Sequence, residues 1–316
     1  MKKFFLFAII LILSFPSCYK LIKESEPKII IGHRGARGLL PENTLPGFIK
    51  SIEIGVDAVE CDVFVTKDKK VIISHNPKIS SIMGSNPDGS HVTKKQSDSL
   101  ILYNMNYEDI VKFNIGLRQN PTCPEQKTLS AKIPLLTDLF ETVKKFYNNH
   151  PEIRKRIVFF IEIKSWYKHD NLYTPPYDDY INSVMDVVQK HLTPRQVVIQ
   201  TFDLRAMEFL NENYEEYTTQ FLRASPGINI NLDSLSFTPK LYGSQLDQTN
   251  PKDYDTLLKK NIKLITWIPN SIPEMQKAFD ILKSDGIGTD YPNLAVPRWG
   301  NPNRNLNAET LEFEEF

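Results

Sequence analysis

The stretch ECDVFVTKDKKVIISHN, Glu60 to Asn76, sets two carboxylates one residue apart inside an otherwise apolar, β-branched run. Strand side chains alternate faces, so Ala58, Glu60, Asp62 and Phe64 share one face while Val59, Cys61, Val63 and Val65 share the other. The second set is wholly apolar and suits packing against helices, which leaves both acids projecting inward. TKDKK then reads as a hairpin turn, although Lys69 stands where Gly would turn better. With Asp68 and Lys69 as the two central residues, Thr66 faces Val71, Phe64 faces Ile73, and Asp62 faces His75 on one face of the pair. A one-residue slip would turn His75 away. Two desolvated carboxylates this close repel each other, and a hard divalent cation is the economical remedy. A hydrogen-bonded pair on an exposed strand is the plainer alternative.

A second strand carries the same anomaly. In RIVFFIEIKSW (156–166), Glu162 and Lys164 share a face and interrupt a run suited to a fully buried parallel strand. Glu162 offers a third carboxylate; Lys164 offers charge for a phosphate or for the acids themselves, and a simple Glu162–Lys164 pair is the alternative. His33 and Arg34 follow the first strand, IIIG, at the position where a barrel places its catalytic residues. Arginine and lysine suit a phosphate, and two imidazoles suit proton transfer at neutral pH.

Around these runs, short apolar strands alternate with helical segments. Strands are expected at IIIG, VDAVECDVFV, KVIISH, RIVFFIEIK, QVVIQTF, YTTQFL, NIKLITWI and DGIGTD, and helices at 44–54, LLTDLFETVKKFYNN, YINSVMDVVQKHL, LRAMEFLNENY, YDTLLKK and PEMQKAFDILK. About eight strands in this alternation predict an α/β fold, a (β/α)8 TIM barrel. A doubly wound sheet competes, but HRGARG lacks the glycine spacing of a dinucleotide loop. Residues 77–132 break the rhythm and are expected to form an insertion on the active face, shaping the substrate entrance.

The chain has 316 residues, 41% of them hydrophobic, with 38 Lys and Arg against 38 Asp and Glu. One large domain, 28–296, with a linker at 19–27 and a C-terminal tail at 297–316, accommodates that length. The charge balance supplies no global field for nucleic acid or an anionic membrane, so recognition is local. Residues 1–18, MKKFFLFAIILILSFPSC, are built as an export signal too short for a comfortable span. Their ending resembles a bacterial lipobox with Cys18 as the lipidated residue, despite Phe15 and Pro16. The mature protein is then an exported lipoprotein facing periplasm or cell surface, touching membrane only through that anchor; ordinary signal-peptide cleavage and an uncleaved anchor are the alternatives, and either way the rest is exported. Cys61 and Cys123 are expected to stay unpaired, because Cys61 lies mid-strand between two candidate ligands.

GHRGARGLLPENTLPGF, ECD, TKDKKVIISHN, FIEIK, QTFD, TWIPN and DGIGTDYP, in this order over about Ile29 to Pro292, resemble the glycerophosphodiester phosphodiesterase family. The resemblance implies a phospholipase C-like barrel and one divalent cation, Ca²⁺ or Mg²⁺. It implies His33 and His75 as the acid/base pair and Glu60, Asp62 and Glu162 as metal ligands. Arg34 and Lys164 become phosphate contacts, Asn43 a supporting residue near the metal, and Trp267 a wall of the glycerol pocket. The implied substrate is a small glycerophosphodiester, cleaved to sn-glycerol 3-phosphate and an alcohol through a cyclic phosphate that water opens. Two departures stand out. Asn76 replaces the usual Asp after His75, and Thr201 begins a TFD where SFD is usual. Asp203 and Asp290 are expected as structural strand-end residues. A lyase or phospholipase D-like activity on a lipid headgroup, ending at a cyclic phosphate, or a surface lipoprotein that uses the barrel for binding alone, are the alternatives.

Overall fold

The computed structural model describes residues 28–224 and 227–315; the expected leader and Cys18 lie outside the described residues. Among the described residues eleven strands run in chain order as β1 (Ile29–Gly32), β2 (Ala58–Val65), β3 (Val71–Ile73), β4 (Val158–Ile163), β5 (Val197–Thr201), β6 (Thr218–Arg223), β7 (Leu241–Gln245), β8 (Lys263–Trp267), β9 (Gly286–Thr289), β10 (Arg304–Asn307) and β11 (Glu312–Glu315). All but β3, β10 and β11 pair in parallel around a ring that β1 closes by bonding both β2 and β9, which makes a (β/α)8 barrel. The barrel strands are buried almost throughout, as parallel strands covered on both faces must be.

Two expectations need correction. KVIISH is not a barrel strand: β3 is an antiparallel appendage on β2, and the eighth barrel strand is β7, LYGSQ, whose glycine and polar residues hide its character. The hairpin register also differs by one. Val63 faces Ile73, Phe64 faces Ile72 and Val65 faces Val71. The turn has three residues, Lys67 to Lys69, because Lys69 takes a left-handed backbone (φ 59°) and donates its N–H to Thr66 O, while Thr66 N–H reaches Lys70 O. Asp62 therefore stands opposite Ser74, whose N–H it receives at 2.8 Å.

The helices cover the barrel with their apolar faces. Thr44 caps the first, Leu45–Ile54, by accepting Gly47 N–H, and Gly55 ends it in the left-handed region at φ 96°. Phe48 and Ile52 of that helix pack against outward residues such as Val59, Cys61 and Val63 in one continuous core. Within 77–132 two short helices, Lys94–Ser99 and Tyr107–Ile110, gather Ile79, Val92, Leu102 and Ile110 into a small core over Phe64 and Ile72. The insertion thus has its own hydrophobic seat at the C-terminal end of β2.

Residues 297–316, expected as a tail, carry the antiparallel β10–β11 hairpin. Its Leu306, Ala308 and Leu311 cover Ile29, Ile31, Ala58, Val158, Phe160, Val198, Leu241 and Ile265, the inward residues of the barrel's lower layers. Cys61 and Cys123 are both free, as expected.

Candidate active site

Inward positions at the C-terminal ends of the strands are polar. The register sets Asp62, Glu162, Gln200 and Gln220 side by side on β2, β4, β5 and β6. Above the apolar plug Glu162, Gln200 and Gln220 of this belt line a cavity of about 140 Å³, together with His33, Arg34, Glu60, His75, Lys164, Phe202, Leu222, Ile265, Trp267 and Ile268. Most of the residues singled out in the sequence therefore meet in one place. Asn43 joins them by donating to Asp62 Oδ2 at 2.8 Å. Asn76 does not: it is exposed, and its backbone oxygen accepts Ser74 Oγ. His75 reaches the cavity despite the shifted register because β3 ends at Ile73 and the chain bends at His75 to Pro77.

Glu60, Asp62 and Glu162 are all buried, and one oxygen of each lies within 4.8 Å of the others. Arg34 Nε stands 3.4 Å from Asp62 Oδ2. Lys164 Nζ lies 2.9 Å from Asp62 Oδ1 and 2.7 Å from Glu162 Oε1. Lys164 therefore pairs with both carboxylates, and Arg34 places a second cation beside Asp62. Three converging buried carboxylates are the donor set a hard cation prefers. The triad fits a metal ion.

The charges pull the three acids apart. Burial, reinforced by the Asp62 and Glu162 charges, pushes Glu60 well above the ordinary carboxylate range. Burial also raises Glu162, to about 7, against the opposing pull of Lys164. Asp62 feels the same burial, but Lys164, Arg34 and His75 outweigh it and hold its carboxyl down. Loss of a proton from Glu60 or Glu162 needs added positive charge.

The two histidines sit in unlike settings. His33 Nδ1 is 2.6 Å from Asp290 Oδ1, and its Nε2 faces Glu60 Oε2 at 4.0 Å. Burial and Arg34 lower the His33 pKa, while Asp290 works to raise it. Asp290 was expected to be structural. Instead it holds a histidine, because Gly32 pairs with Thr289 and the next residues on β1 and β9 are neighbours. Asp203, by contrast, is structural as expected: it caps Leu204–Asn213 and accepts Ser165 Oγ and Arg205. Among the described residues His75 has no such carboxylate partner, and burial lowers its pKa to about 4, with Asp62 opposing.

Local backbone strain holds the first loop in place. Arg34 and Asn43 both adopt left-handed conformations, at φ 49° and 56°. For arginine this costs on the order of 1 kcal/mol. It is sustained by Arg34 N–H on Glu60 Oε2 at 2.9 Å and Asn43 N–H on Arg34 O at 3.0 Å. Gln200, which donates to Glu60 Oε1 at 3.2 Å, and Glu42, which takes Arg34 Nη1 at 3.0 Å, were not singled out in the sequence. Gln200 shares QTFD with strand-end Asp203, and its inward placement follows only from the barrel register.

On the side away from the acids, the cavity is bounded by Trp267, Phe202, Leu222 and Ile265. Phe202 meets Trp267 edge-on at 5.7 Å and stacks on Trp166 at 5.6 Å. One half of the site therefore suits an anion and a cation together, and the other half a small uncharged group.

Known proteins share this fold. A glycerophosphodiester phosphodiesterase of Caldanaerobacter subterraneus is 28% identical over 277 residues, covering 85% of this chain and 96% of that protein. The crystal structure of a Silicibacter pomeroyi protein assigned as a glycerophosphoryl diester phosphodiesterase superposes with a TM-score of 0.73 at 22% identity, over 84% of this chain and 91% of that one. An Oleispira antarctica phosphodiesterase, solved in complex with the product sn-glycerol-3-phosphate, superposes with a TM-score of 0.66 at 17% identity, over 85% of this chain and 95% of that one. The family model described as glycerophosphoryl diester phosphodiesterase matches residues 33–294, and the chain belongs to that family.

Proposed function

We propose that this protein hydrolyses glycerophosphodiesters to sn-glycerol 3-phosphate and an alcohol, with His33 and His75 as the proton-transfer pair and one Ca²⁺ or Mg²⁺ held by Glu60, Asp62 and Glu162. The observation that carries the reading is the meeting, at one cavity, of two differently partnered histidines with three buried carboxylates whose oxygens converge within 4.8 Å. Family membership supplies the reaction class, and the glycerol 3-phosphate in the Oleispira antarctica complex is the product such a reaction leaves.

When bound, the cation supplies positive charge to the phosphate oxygens. The chain's own residues do the rest. Asp290 accepts the Nδ1 proton of His33, which leaves Nε2 free to take the proton of a glycerol hydroxyl. That oxygen bonds to phosphorus as the bond to the leaving alcohol breaks. His75 gives the departing oxygen a proton. Burial, with Lys164 and Arg34, disfavours its charged form, and an anionic phosphodiester beside it works in the opposite direction. Arg34 and Lys164 hold the phosphate oxygens. Water then opens the cyclic phosphate with the two histidines in exchanged roles. Trp267, Phe202 and Leu222 bound the space for glycerol.

Glycerol 3-phosphate release from glycerophosphocholine, measured with Ca²⁺, with Mg²⁺ and with chelator, tests this directly. Release with a cation and none with chelator is expected; silence under every condition overturns the reading. Phosphorus NMR distinguishes the lyase, whose cyclic product would accumulate. We propose further that the chain is exported and anchored through Cys18, which metabolic labelling with a fatty acid checks by comparing wild type with Cys18→Ala.

A further inference from the structure

We propose that Arg37, Glu42 and Asn120 are positioning residues through which the 77–132 insertion holds His33 and Arg34 in working geometry. This rests on the role proposed above for His33. Glu42 is 6% exposed and divides its carboxylate between the two sides of the site. Its Oε1 takes Arg34 Nη1 at 3.0 Å, and its Oε2 takes Arg37 Nε at 2.7 Å. Arg37 in turn gives Nη1 to Asp290 Oδ2 at 2.9 Å, on the carboxylate that holds His33. Asn270 Nδ2 braces the same oxygen at 2.8 Å.

The insertion enters this network directly. Asn120, 7% exposed, donates Nδ2 to Glu42 Oε2 at 3.3 Å. Thr122 Oγ1 takes Arg37 Nη2 at 3.1 Å. Gln126 gives Nε2 to the backbone oxygens of Arg37 and Leu40, and Lys127 N–H bonds Leu39 O. The segment 120–127 is therefore fastened along the loop that carries Arg34. A buried charge network of this kind contributes little net stability compared with apolar packing, because desolvation offsets attraction. Its geometric effect is specific: Glu42 and Thr122, from two parts of the chain, fix the Arg37 guanidinium, and its remaining nitrogen holds Asp290.

Steady-state hydrolysis of glycerophosphocholine with saturating cation tests the proposal in Arg37→Met, Arg37→Lys and Asn120→Ala, with Leu117→Ala, exposed in the same insertion, as control. Arg37→Met is expected to lower kcat about tenfold or more, with KM nearly unchanged. Arg37→Lys is expected to recover little, since an ammonium cannot span Glu42, Asp290 and Thr122 together. Asn120→Ala should show a smaller loss in kcat, and Leu117→Ala none. In an Asp290→Asn background, Arg37→Met should add nothing. Wild-type kcat in both Arg37→Met and Asn120→Ala, or full additivity with Asp290→Asn, overturns the proposal. Proton NMR of the His33 Nδ1 hydrogen gives a readout without turnover: its downfield signal should weaken in Arg37→Met and Asn120→Ala and persist in Leu117→Ala. An inactive wild type whose His33 signal responds this way would overturn the reaction and keep the network; an active one whose signal stays unchanged would overturn the network.

Discussion

The two ends of the barrel are built on the same strands and obey opposite rules. At the N-terminal end, inward side chains are Ile29, Ala58, Val158, Phe160 and Val198, sealed by Leu306 and Leu311 of the terminal hairpin. Two to four residues further along the same strands stand His33, Glu60, Asp62, Glu162 and Gln200. The lower end gains from excluding water and carries the packing. The upper end concentrates like charges in a buried site and carries the chemistry. Stability and activity are thus separated along one axis, and substitutions at the two ends should fail in different ways.

The largest effects belong to the upper end. Glu60→Ala and His75→Ala should each remove nearly all turnover, by at least about 10²-fold to 10⁴-fold, while circular dichroism stays native. Near-normal release of glycerol 3-phosphate by either would refute the site. Next comes the lower end, where Lys155 Nζ lies 2.7 Å from fully buried Asp57 Oδ1. Lys155→Ala leaves that carboxylate without its cation and should cost about 3–5 kcal/mol in urea unfolding, with turnover per folded molecule unchanged.

A smaller effect inverts the usual sign. Glu162→Gln should stabilise the metal-free protein by about 1 kcal/mol while destroying activity, because it relieves repulsion among three acids. Glu162 is raised to about 7 from 4.5, so its folded form keeps a proton the unfolded chain has lost, and stability falls as pH rises through that window. Added divalent cation should therefore raise the wild-type melting temperature more at about pH 8 than at about pH 5; equal shifts at both would argue against the triad as the site. The smallest expected effect concerns His75, lowered from 6.5 to about 4. The unfolded imidazole binds a proton that the folded one refuses, so wild type should lose stability relative to His75→Gln as pH falls across that range.

The lower end was the easier to read in the sequence. Strand β4 and the helices show their periodicity within a dozen residues, and an acid in an apolar strand is visible as such. Strand β7 was missed because LYGSQ has no alternation strong enough to compete with a loop. The hairpin register was misjudged by one because Lys69 takes a conformation usually left to Gly, and the turn gains a residue. That error leaves His75 in the site only because β3 stops early. Asp290 and Glu42 were not recognised as partners of His33 and Arg37, since those contacts depend on how the barrel closes and on where the insertion lands. Local pattern announces side-chain chemistry; partners that meet across the fold must be found in the structure.

His33 and the Asp290 that holds it are 257 residues apart in the chain, and β1 bonds β9 along the same seam. The barrel cannot close until almost the entire polypeptide is available, and the hairpin that seals its floor comes after that. Folding is consequently governed by contacts of great sequence separation, which are slow to form and leave apolar strand edges open meanwhile. A ribosome-bound or truncated chain ending before Gly286 lacks both the seam and the site's Asp290, so premature termination yields a product that is inactive and aggregation-prone together.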